Sequence, residues 1–187
     1  NIMDLVSSTG LRMVAVKKFA MSVAQAEEFY GPVRENLKKV FKLFGADRAA
    51  QALSREFGFP VDAAPLGGLC DHLAPLFAER EFENIVEFMT GRRPSNCLPE
   101  ERTRPGTEEC LAIIYEGVDA VTKIRDILGA TDPLKARPGS IRREFGTNIM
   151  VNAAHASDSP ENALREMGIL DVAHDTHFDE LIGTYYP

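Results

Sequence analysis

One stretch of the sequence, residues 137–159, combines residue types that could act on a phosphoryl group. It contains Arg142 and Arg143, then an apolar run, and then His155 among small residues. A histidine at the end of an apolar strand with small neighbours is sterically open on a rigid support, which suits a nucleophile. Arginine side chains nearby would suit the negative charge of a phosphoryl group.

The composition is that of a globular chain. Of 187 residues, 44% are hydrophobic and 26% are charged, and no apolar run approaches the roughly 18–20 residues of a membrane span. The net charge of −7 argues against broad nucleic-acid binding but allows a local basic pocket for a nucleotide. The three cysteines form no CxxC pair and predict free thiols in a reducing cytoplasm, with one disulfide plus an odd cysteine as the alternative.

The apolar periodicity predicts the elements that position this stretch. Strands are predicted at 11–19, 110–115 and 148–154, and the polar residues 92–109 predict an extended loop. Helices are predicted at 1–9, 22–30, 34–44, 47–57, 69–79, 83–89, 118–128, 140–145 and 160–167. With one further strand before position 1, this order gives an α+β, ferredoxin-like βαββαβ antiparallel sheet with helices on one face, plus an inserted helical segment.

Three motifs occur in order in the second half of the chain. Asn152-Ala153-Ala154-His155-Ala156-Ser157-Asp158-Ser159 resembles Asn-x-x-His-x-Ser-Asp-Ser, the signature of the nucleoside diphosphate kinases. Pro138-Gly139-Ser140-Ile141-Arg142 resembles that family's Pro-Gly-(Thr/Ser)-Ile-Arg, at the same distance before the histidine. The run from Arg125 to Pro133 resembles its Arg…Leu-Gly-x-Thr-(Asn/Asp)-Pro. The chain is identified on these motifs as similar to that family.

The resemblance implies a role for each matching residue. His155 would take the γ-phosphoryl group of a nucleoside triphosphate and pass it to a nucleoside diphosphate, in a ping-pong scheme. Glu166 would hydrogen-bond the other ring nitrogen and keep the attacking nitrogen unprotonated. The other implied site residues are Arg125, Thr131, Arg142 and Tyr30 for the phosphates, Asn152 for the ribose and phosphates, Phe82 and Ile149 for the two faces of the base, and Ser157 and Asp158 for the turn behind the histidine.

The resemblance also implies cofactor and partners. Mg²⁺ would arrive with the nucleotide and bridge its phosphates, with no dedicated protein ligands. The partners would be nucleoside di- and triphosphates and further copies of the chain in a dimer, tetramer or hexamer, in the cytoplasm. Taken alone, several of these residues have a plainer interpretation, such as core packing for Phe82 and a solvated helix charge for Glu166.

The sequence also departs from the family pattern. The family's opening strand, with a phosphate-binding lysine in Lys-Pro-Asp, is not in the sequence, and a segment before Asn1 is expected to supply it. The chain is interpreted as one domain over 1–187 with an insertion at about 37–78 and an extended loop at about 92–109. The departures motivate a second hypothesis, a nucleotide-binding or scaffold protein on the same fold with little or no kinase activity.

Overall fold

The computed structural model describes residues 2–173 of the chain. They divide into two compact units, one formed by residues 22–108 and the other by the residues on either side of that range. In chain order the helices and strands are α1 (Ile2–Ser7), β1 (Arg12–Ser22), α2 (Val23–Tyr30), α3 (Val33–Phe57), α4 (Gly67–Thr90), β2 (Pro105–Glu116), α5 (Ala120–Leu128), α6 (Ile141–Phe145) and α7 (Pro160–Leu170). None of the helices within 2–173 has both the length and the apolar character needed to cross a membrane.

The strands β1 and β2 pair with each other, and the pairing is antiparallel. Two ion pairs between exposed side chains show the register: Arg12 lies 3.0 Å from Glu116, and Lys18 lies 2.8 Å from Glu109. Residue numbers therefore rise along β1 as they fall along β2. The predicted class, α+β with an antiparallel sheet, is confirmed.

A small apolar core holds the flanking unit together. Its buried centre consists of Val6 from α1, Leu128 from α5 and Ile141 from α6. The partly buried side chains packed on this centre are Ile2, Leu5, Tyr115, Ile124, Ile127, Ala154 and Ala156. The last two lie on either side of His155, so the segment that carries the histidine is attached to the core through its small neighbours.

The central unit is built on the helices α3 and α4, which pack on each other and surround an aromatic cluster. The ring of Phe77 lies 4.8 Å from that of Phe41 and 5.7 Å from that of Phe44. Close approach of the helices requires glycine at position 45. A Cβ atom there would lie 2.8 Å from the Phe41 ring and 3.1 Å from the sulfur of Cys70.

The buried face of α4 recurs every fourth residue, through Cys70, Ala74, Ala78, Phe82, Val86 and Thr90. Because an α-helix has 3.6 residues per turn, a spacing of four makes the buried stripe wind around the helix axis. The stripe can therefore serve two neighbours, and α4 packs on α2 as well as on α3. Phe82 is fully buried in this stripe.

The helices that the structure shows in the central unit are longer than the predicted ones. The helices predicted at 34–44 and 47–57 form the single helix α3. This helix continues through Gly45, the position where α3 approaches α4 closely. Those at 69–79 and 83–89 likewise form the single helix α4. The loop predicted at 92–109 contains two short 3₁₀ turns, Pro94–Asn96 and Pro99–Glu101, and its last residues belong to β2.

The prediction of a strand at 148–154 is wrong. The Asn148 side chain accepts hydrogen bonds of 2.9 Å from the backbone N–H groups of Met150 and Val151, which curls the segment into a turn. The N–H of Thr147 also donates to the carbonyl of Val151, at 2.7 Å. Ala153 then has a φ of 75°, which no strand residue adopts. Local side-chain bonds to the backbone have replaced a strand ladder.

The end of α7 also differs from the prediction. The helix predicted at 160–167 continues to Leu170, and the left-handed residue that ends it is Asp171, with a φ of 50°. Aspartate tolerates this conformation better than most residues that have a Cβ atom. The N–H groups of Asp171 and Val172 donate to the carbonyls of Gly168 and Met167, so the closing turn is hydrogen-bonded.

The burial of Phe82 predicts a large effect of its removal. Phe82→Ala should lower the free energy of unfolding by about 3–5 kcal/mol, because it removes a buried ring and leaves a cavity. Phe88→Ala, on the same helix but with a ring that is 45% exposed, should cost about 1 kcal/mol or less. Urea unfolding of the two variants checks the difference, and equal losses would show that Phe82 does not support the core.

Candidate active site

His155 and Glu166 form a close pair in the flanking unit. The ring nitrogen Nε2 of His155 lies 3.3 Å from Oε1 and 3.2 Å from Oε2 of Glu166. An ionised carboxylate can only accept hydrogen bonds, so Nε2 carries the hydrogen in this pair. In a neutral ring the lone pair then belongs to Nδ1, on the side of the imidazole away from the carboxylate. The His155 side chain is 44% exposed, whereas that of Glu166 is 11% exposed.

The Glu166 carboxylate is held in its charged form although it is buried. Burial acts to raise the pKa of Glu166, but hydrogen bonds from His155 and Ser157 outweigh it, and the pKa lies below its ordinary value. The Ser157 hydroxyl donates to Oε2 at 2.5 Å, and Arg165 lies 3.5 Å from Oε1. The carboxylate is therefore ionised at neutral pH and presents a fixed acceptor to the histidine.

The start of α7 is fixed by its own sequence. The Ser159 side chain caps the helix by accepting from the N–H of Asn162 at 3.1 Å, and Pro160 occupies the first helical position. The side chain of Asn162 also donates to Asp158, which lowers the pKa of that carboxyl, and the charge of Arg125 lowers it further. Asp158 is thereby tied to the first turn of α7, and its predicted role in the turn behind the histidine stays a prediction.

Arg142 braces two backbone segments next to this pair. Its guanidinium donates to the carbonyl of Ala154 at 3.0 and 3.3 Å and to the carbonyl of Gly129 at 3.0 Å. Burial lowers the pKa of Arg142, and the positive charge of Arg125 lowers it further. The bond to Ala154 places the positive charge of Arg142 next to the histidine segment, in a chain with a net charge of −7. The roles of Arg142 and Arg125 in binding a phosphate stay predictions.

Three further residues predicted for the nucleotide lie in the same unit. Thr131 is exposed, and Ile149 is 64% exposed in the turn that replaces the predicted strand. The amide of Asn152 donates to the carbonyl of Ile149 at 2.9 Å, so its side chain stabilises that turn. Their roles in nucleotide binding stay predictions.

Tyr30 and Phe82 lie in the central unit, where both pack against other side chains. The Tyr30 ring, at the end of α2, is 4.9 Å from that of Phe29. Phe82 is fully buried, with the guanidinium of Arg34 centred 3.3 Å from its ring and held there by hydrogen bonds of 2.9 and 3.2 Å to Glu79. Stacking of a base on Phe82 would require Arg34 to move, and this predicted role also stays untested.

The two groups that hold Arg142, the carbonyls of Gly129 and Ala154, are not among the predicted site residues. The carbonyl groups of Gly129 and Ala154 have no side-chain signature, so the sequence offers no direct signal for them. Gly129 does carry an indirect signal. It has a φ of 80°, and a Cβ atom there would lie 2.6 Å from the Ser140 hydroxyl, so only glycine fits this approach.

The carboxylates and histidines of the described part of the chain form no group of three or more that could hold a metal ion.

Comparison with known proteins matches this architecture to one family. Residues 72–173 match the family model described as nucleoside diphosphate kinase, a range that contains every predicted site residue except Tyr30. The nucleoside diphosphate kinase of Bdellovibrio bacteriovorus is 31% identical over 94% of this chain and 82% of its own length. That of Helicobacter pylori (strain Shi470) is 30% identical over 93% of this chain and 84% of its own length.

Solved structures agree with the sequence matches. The Aquifex aeolicus nucleoside diphosphate kinase superimposes with a TM-score of 0.54 at 28% identity, over 90% of this chain and 80% of its own. The enzyme from Encephalitozoon cuniculi superimposes with a TM-score of 0.55 at 21% identity, over 96% and 84%, and this likeness concerns the fold. The ferredoxin-like class predicted from the sequence is confirmed by these neighbours.

These matches place the chain in a class of phosphotransferase enzymes with an α+β fold. The chain belongs to the nucleoside diphosphate kinase family.

The charged state of Glu166 predicts a pH dependence of stability. Because the folded-state pKa is depressed, the carboxylate stabilises the fold fully above its unfolded-state pKa, roughly 4.3, and this contribution is lost as the pH falls through the folded-state value. The free energy of unfolding of the native sequence should therefore fall more steeply below about pH 4.3 than that of Glu166→Gln. Urea unfolding across the acidic range measures both slopes.

A matched control lies on the same helix. Glu161→Gln removes an exposed carboxylate in the first turn of α7 but leaves Glu166 in place, so it should keep the steeper slope. Parallel curves for the native sequence and Glu166→Gln would contradict the ionised, hydrogen-bonded state of Glu166.

Proposed function

We propose that this chain is a nucleoside diphosphate kinase, which transfers the γ-phosphoryl group of a nucleoside triphosphate to a nucleoside diphosphate through a phosphohistidine. The observation that carries the proposal is the contact between His155 and the ionised, buried Glu166. Membership of a family whose curated members are named nucleoside diphosphate kinase supports it.

The first step is attack on phosphorus by the histidine. Glu166 accepts the hydrogen on Nε2, so the lone pair of Nδ1 is directed away from the carboxylate and can form an N–P bond with the γ-phosphorus. The bond between that phosphorus and the oxygen bridging to the β-phosphate breaks, and the nucleoside diphosphate leaves with the electron pair. Glu166 stabilises the positive charge that develops on the imidazole ring.

The second step reverses the first with a different nucleotide. A terminal phosphate oxygen of a second nucleoside diphosphate attacks the phosphorus, a new P–O bond forms, and the N–P bond breaks. The electron pair returns to Nδ1, so His155 is regenerated with its hydrogen still on Nε2. The chain itself gains and loses nothing over the cycle, in keeping with a ping-pong scheme.

Arg142 and Arg125 supply positive charge for the phosphate oxygens in both steps. The contacts of Arg142 with Gly129 and Ala154 use three of its five N–H groups, so two further N–H groups can serve a phosphate. These backbone contacts also hold the guanidinium in place before a substrate binds, which limits the reorganisation needed during the reaction. Thr131 and Asn152 complete the proposed set for the phosphates and ribose.

Mg²⁺ is proposed to enter as a complex with the nucleoside triphosphate, and its chemistry would be to neutralise charge on the phosphate oxygens. Assembly into a homo-oligomer is proposed from the family resemblance alone.

A second candidate is a nucleotide-binding or scaffold protein on the same fold with little or no kinase turnover. The burial of Phe82 beneath Arg34 favours it, because the face predicted to stack on a base is covered by an ion-paired side chain. Calorimetric titration with a non-hydrolysable ATP analogue separates the two candidates. Binding of the analogue, together with an absence of phosphohistidine from ATP, would favour the second.

The kinase proposal predicts a covalent label at one residue. Incubation of the chain with ATP labelled at the γ-phosphate should give an acid-labile, base-stable phosphoprotein, and His155→Ala should abolish the label, because no other group takes its place. His72→Ala, which alters an exposed histidine on α4, should label as the native sequence does. Retention of the full label in His155→Ala would overturn the proposed nucleophile.

The arginine pair predicts an effect on substrate binding. Arg125→Ala should raise the KM for ATP by about ten-fold or more, because a charge-assisted hydrogen bond contributes about 1.5–3 kcal/mol. Lys123→Ala removes one positive charge from the same helix, two residues away and on a different face, and should leave KM within about two-fold. Steady-state kinetics compares the variants, and equal changes in KM would show that only net charge matters.

A further inference from the structure

The catalytic role proposed for Glu166 depends on the position of the whole of α7. Glu166 is the buried residue of this helix, and the remaining residues of α7 are partly or fully exposed. The cap at Ser159 fixes the conformation of the first turn, but it is a bond within the helix segment itself. Besides the bonds of Glu166 to His155 and Ser157, a contact with the strands of the same unit helps to fix where α7 lies.

Lys17 makes such a contact at the other end of the helix. Its Nζ atom donates to the carbonyl of Leu170 at 3.0 Å and to the carbonyl of Asp171 at 2.7 Å. It also lies 3.7 Å from the carboxylate of Asp171. The last carbonyls of a helix carry its negative partial charge, so an ammonium group there is both hydrogen-bonded and electrostatically stabilised.

The other end of this contact is rigid. Lys17 follows Val14, Ala15 and Val16 on β1, and these three residues are buried. The Lys17 side chain is itself only 21% exposed, in contrast to its neighbour Lys18, which is 49% exposed and pairs with Glu109 across the sheet. Of the two adjacent lysines, one thus connects the strand to α7 and the other stays on the sheet surface.

The distance along the helix makes this connection relevant to the histidine. Leu170 lies four residues after Glu166, which is about 6 Å along the axis of an α-helix. A shift at the end of α7 would therefore be passed on to the Glu166 carboxylate through little more than one turn. The carboxylate lies 3.2 Å from Nε2 of His155, so a shift of 1 Å would break that hydrogen bond.

We infer that Lys17 is a positioning residue for the histidine site: its ammonium group holds the end of α7 on β1 and thereby keeps Glu166 within hydrogen-bond distance of His155. Lys17 does not touch the reacting atoms and acts only through Glu166. The inference rests on the proposed function for its effect on catalysis, whereas its effect on the environment of Glu166 can be measured without any activity.

The test uses Lys17→Met, which removes the ammonium but keeps an aliphatic chain, with Lys18→Met as the matched control. The readout is the titration of the Glu166 carboxyl carbon by NMR in the full chain. The groups that face this carboxylate are His155, Ser157 and Arg165. In Lys17→Met the bonds from His155 and Ser157 should lengthen, and the pKa of Glu166 should rise towards the value that burial favours.

Lys18→Met should leave that titration unchanged, and Lys17→Arg, which restores a cation with several donors, should return it towards the native curve. Lys17→Met should also lower the rate of phosphohistidine formation roughly 10- to 100-fold with little change in KM, since misplacement of a catalytic group affects the chemical step. In the Glu166→Gln background, Lys17→Met should have little further effect on that rate, because both changes act through one group.

The outcomes separate this inference from the proposed function. An unchanged Glu166 titration in a folded Lys17→Met variant, or an equal change in Lys18→Met, would overturn the role of Lys17. If Lys17→Met fails to fold, Lys17→Gln is titrated in its place and judged by the same criterion. Absence of a phosphohistidine in the native sequence would overturn the kinase proposal alone, because the NMR titration does not depend on it.

Discussion

The hydrogen bond between His155 and Glu166 is the interaction on which the candidate active site depends. A carboxylate that is 11% exposed loses much of its hydration, and that loss must be offset by donors inside the protein. Ser157 supplies one donor and the imidazole supplies the other. The bond from His155 that helps to keep Glu166 charged also orients the histidine ring, so the electrostatics of the buried group and the orientation of the exposed group share one cause.

Arg142 likewise has both a structural contact and an electrostatic effect. Arg142 donates to the carbonyl of Gly129, two residues before Thr131, and to that of Ala154, two residues after Asn152. It provides positive charge at the same place. Its neighbour Arg125 adds a second charge from α5 without being buried. Like charges repel, and the charge of Arg125 lowers the pKa of Arg142; in the proposed function a bound phosphate would relieve this repulsion.

The start of α7 could be predicted because it follows from local sequence: Ser159 caps the helix and Pro160 occupies its first turn. The pairing of His155 with Glu166 was expected from the family resemblance alone, and the structure places Nε2 of the histidine 3.2 Å from the carboxylate. The turn at 148–154 could not be predicted correctly, because its apolar pattern favours a strand. In the structure the Asn148 side chain instead bonds to the nearby backbone and forms a turn.

The central unit was harder to predict for a different reason. A glycine is usually a stop signal for a helix, but Gly45 is required by the close contact with Phe41 and Cys70, so α3 runs through it. The place of Phe82 likewise depends on tertiary packing that periodicity cannot show. Its spacing on α4 indicates a helix, but only the structure shows the ring buried beneath the ion-paired Arg34.

Because Glu166 is buried and Arg125 is exposed, added salt should affect the interactions of these two residues differently. Salt screens charges in water over a distance of about 8 Å at 0.15 M, whereas partly buried pairs are screened much less. Arg125 is exposed, so its attraction for an approaching phosphate weakens as salt is added. The bond that orients His155 involves a carboxylate that is only 11% exposed, so salt weakens it much less. If the proposed function holds, anion capture and the orientation of the nucleophile would respond separately to ionic strength.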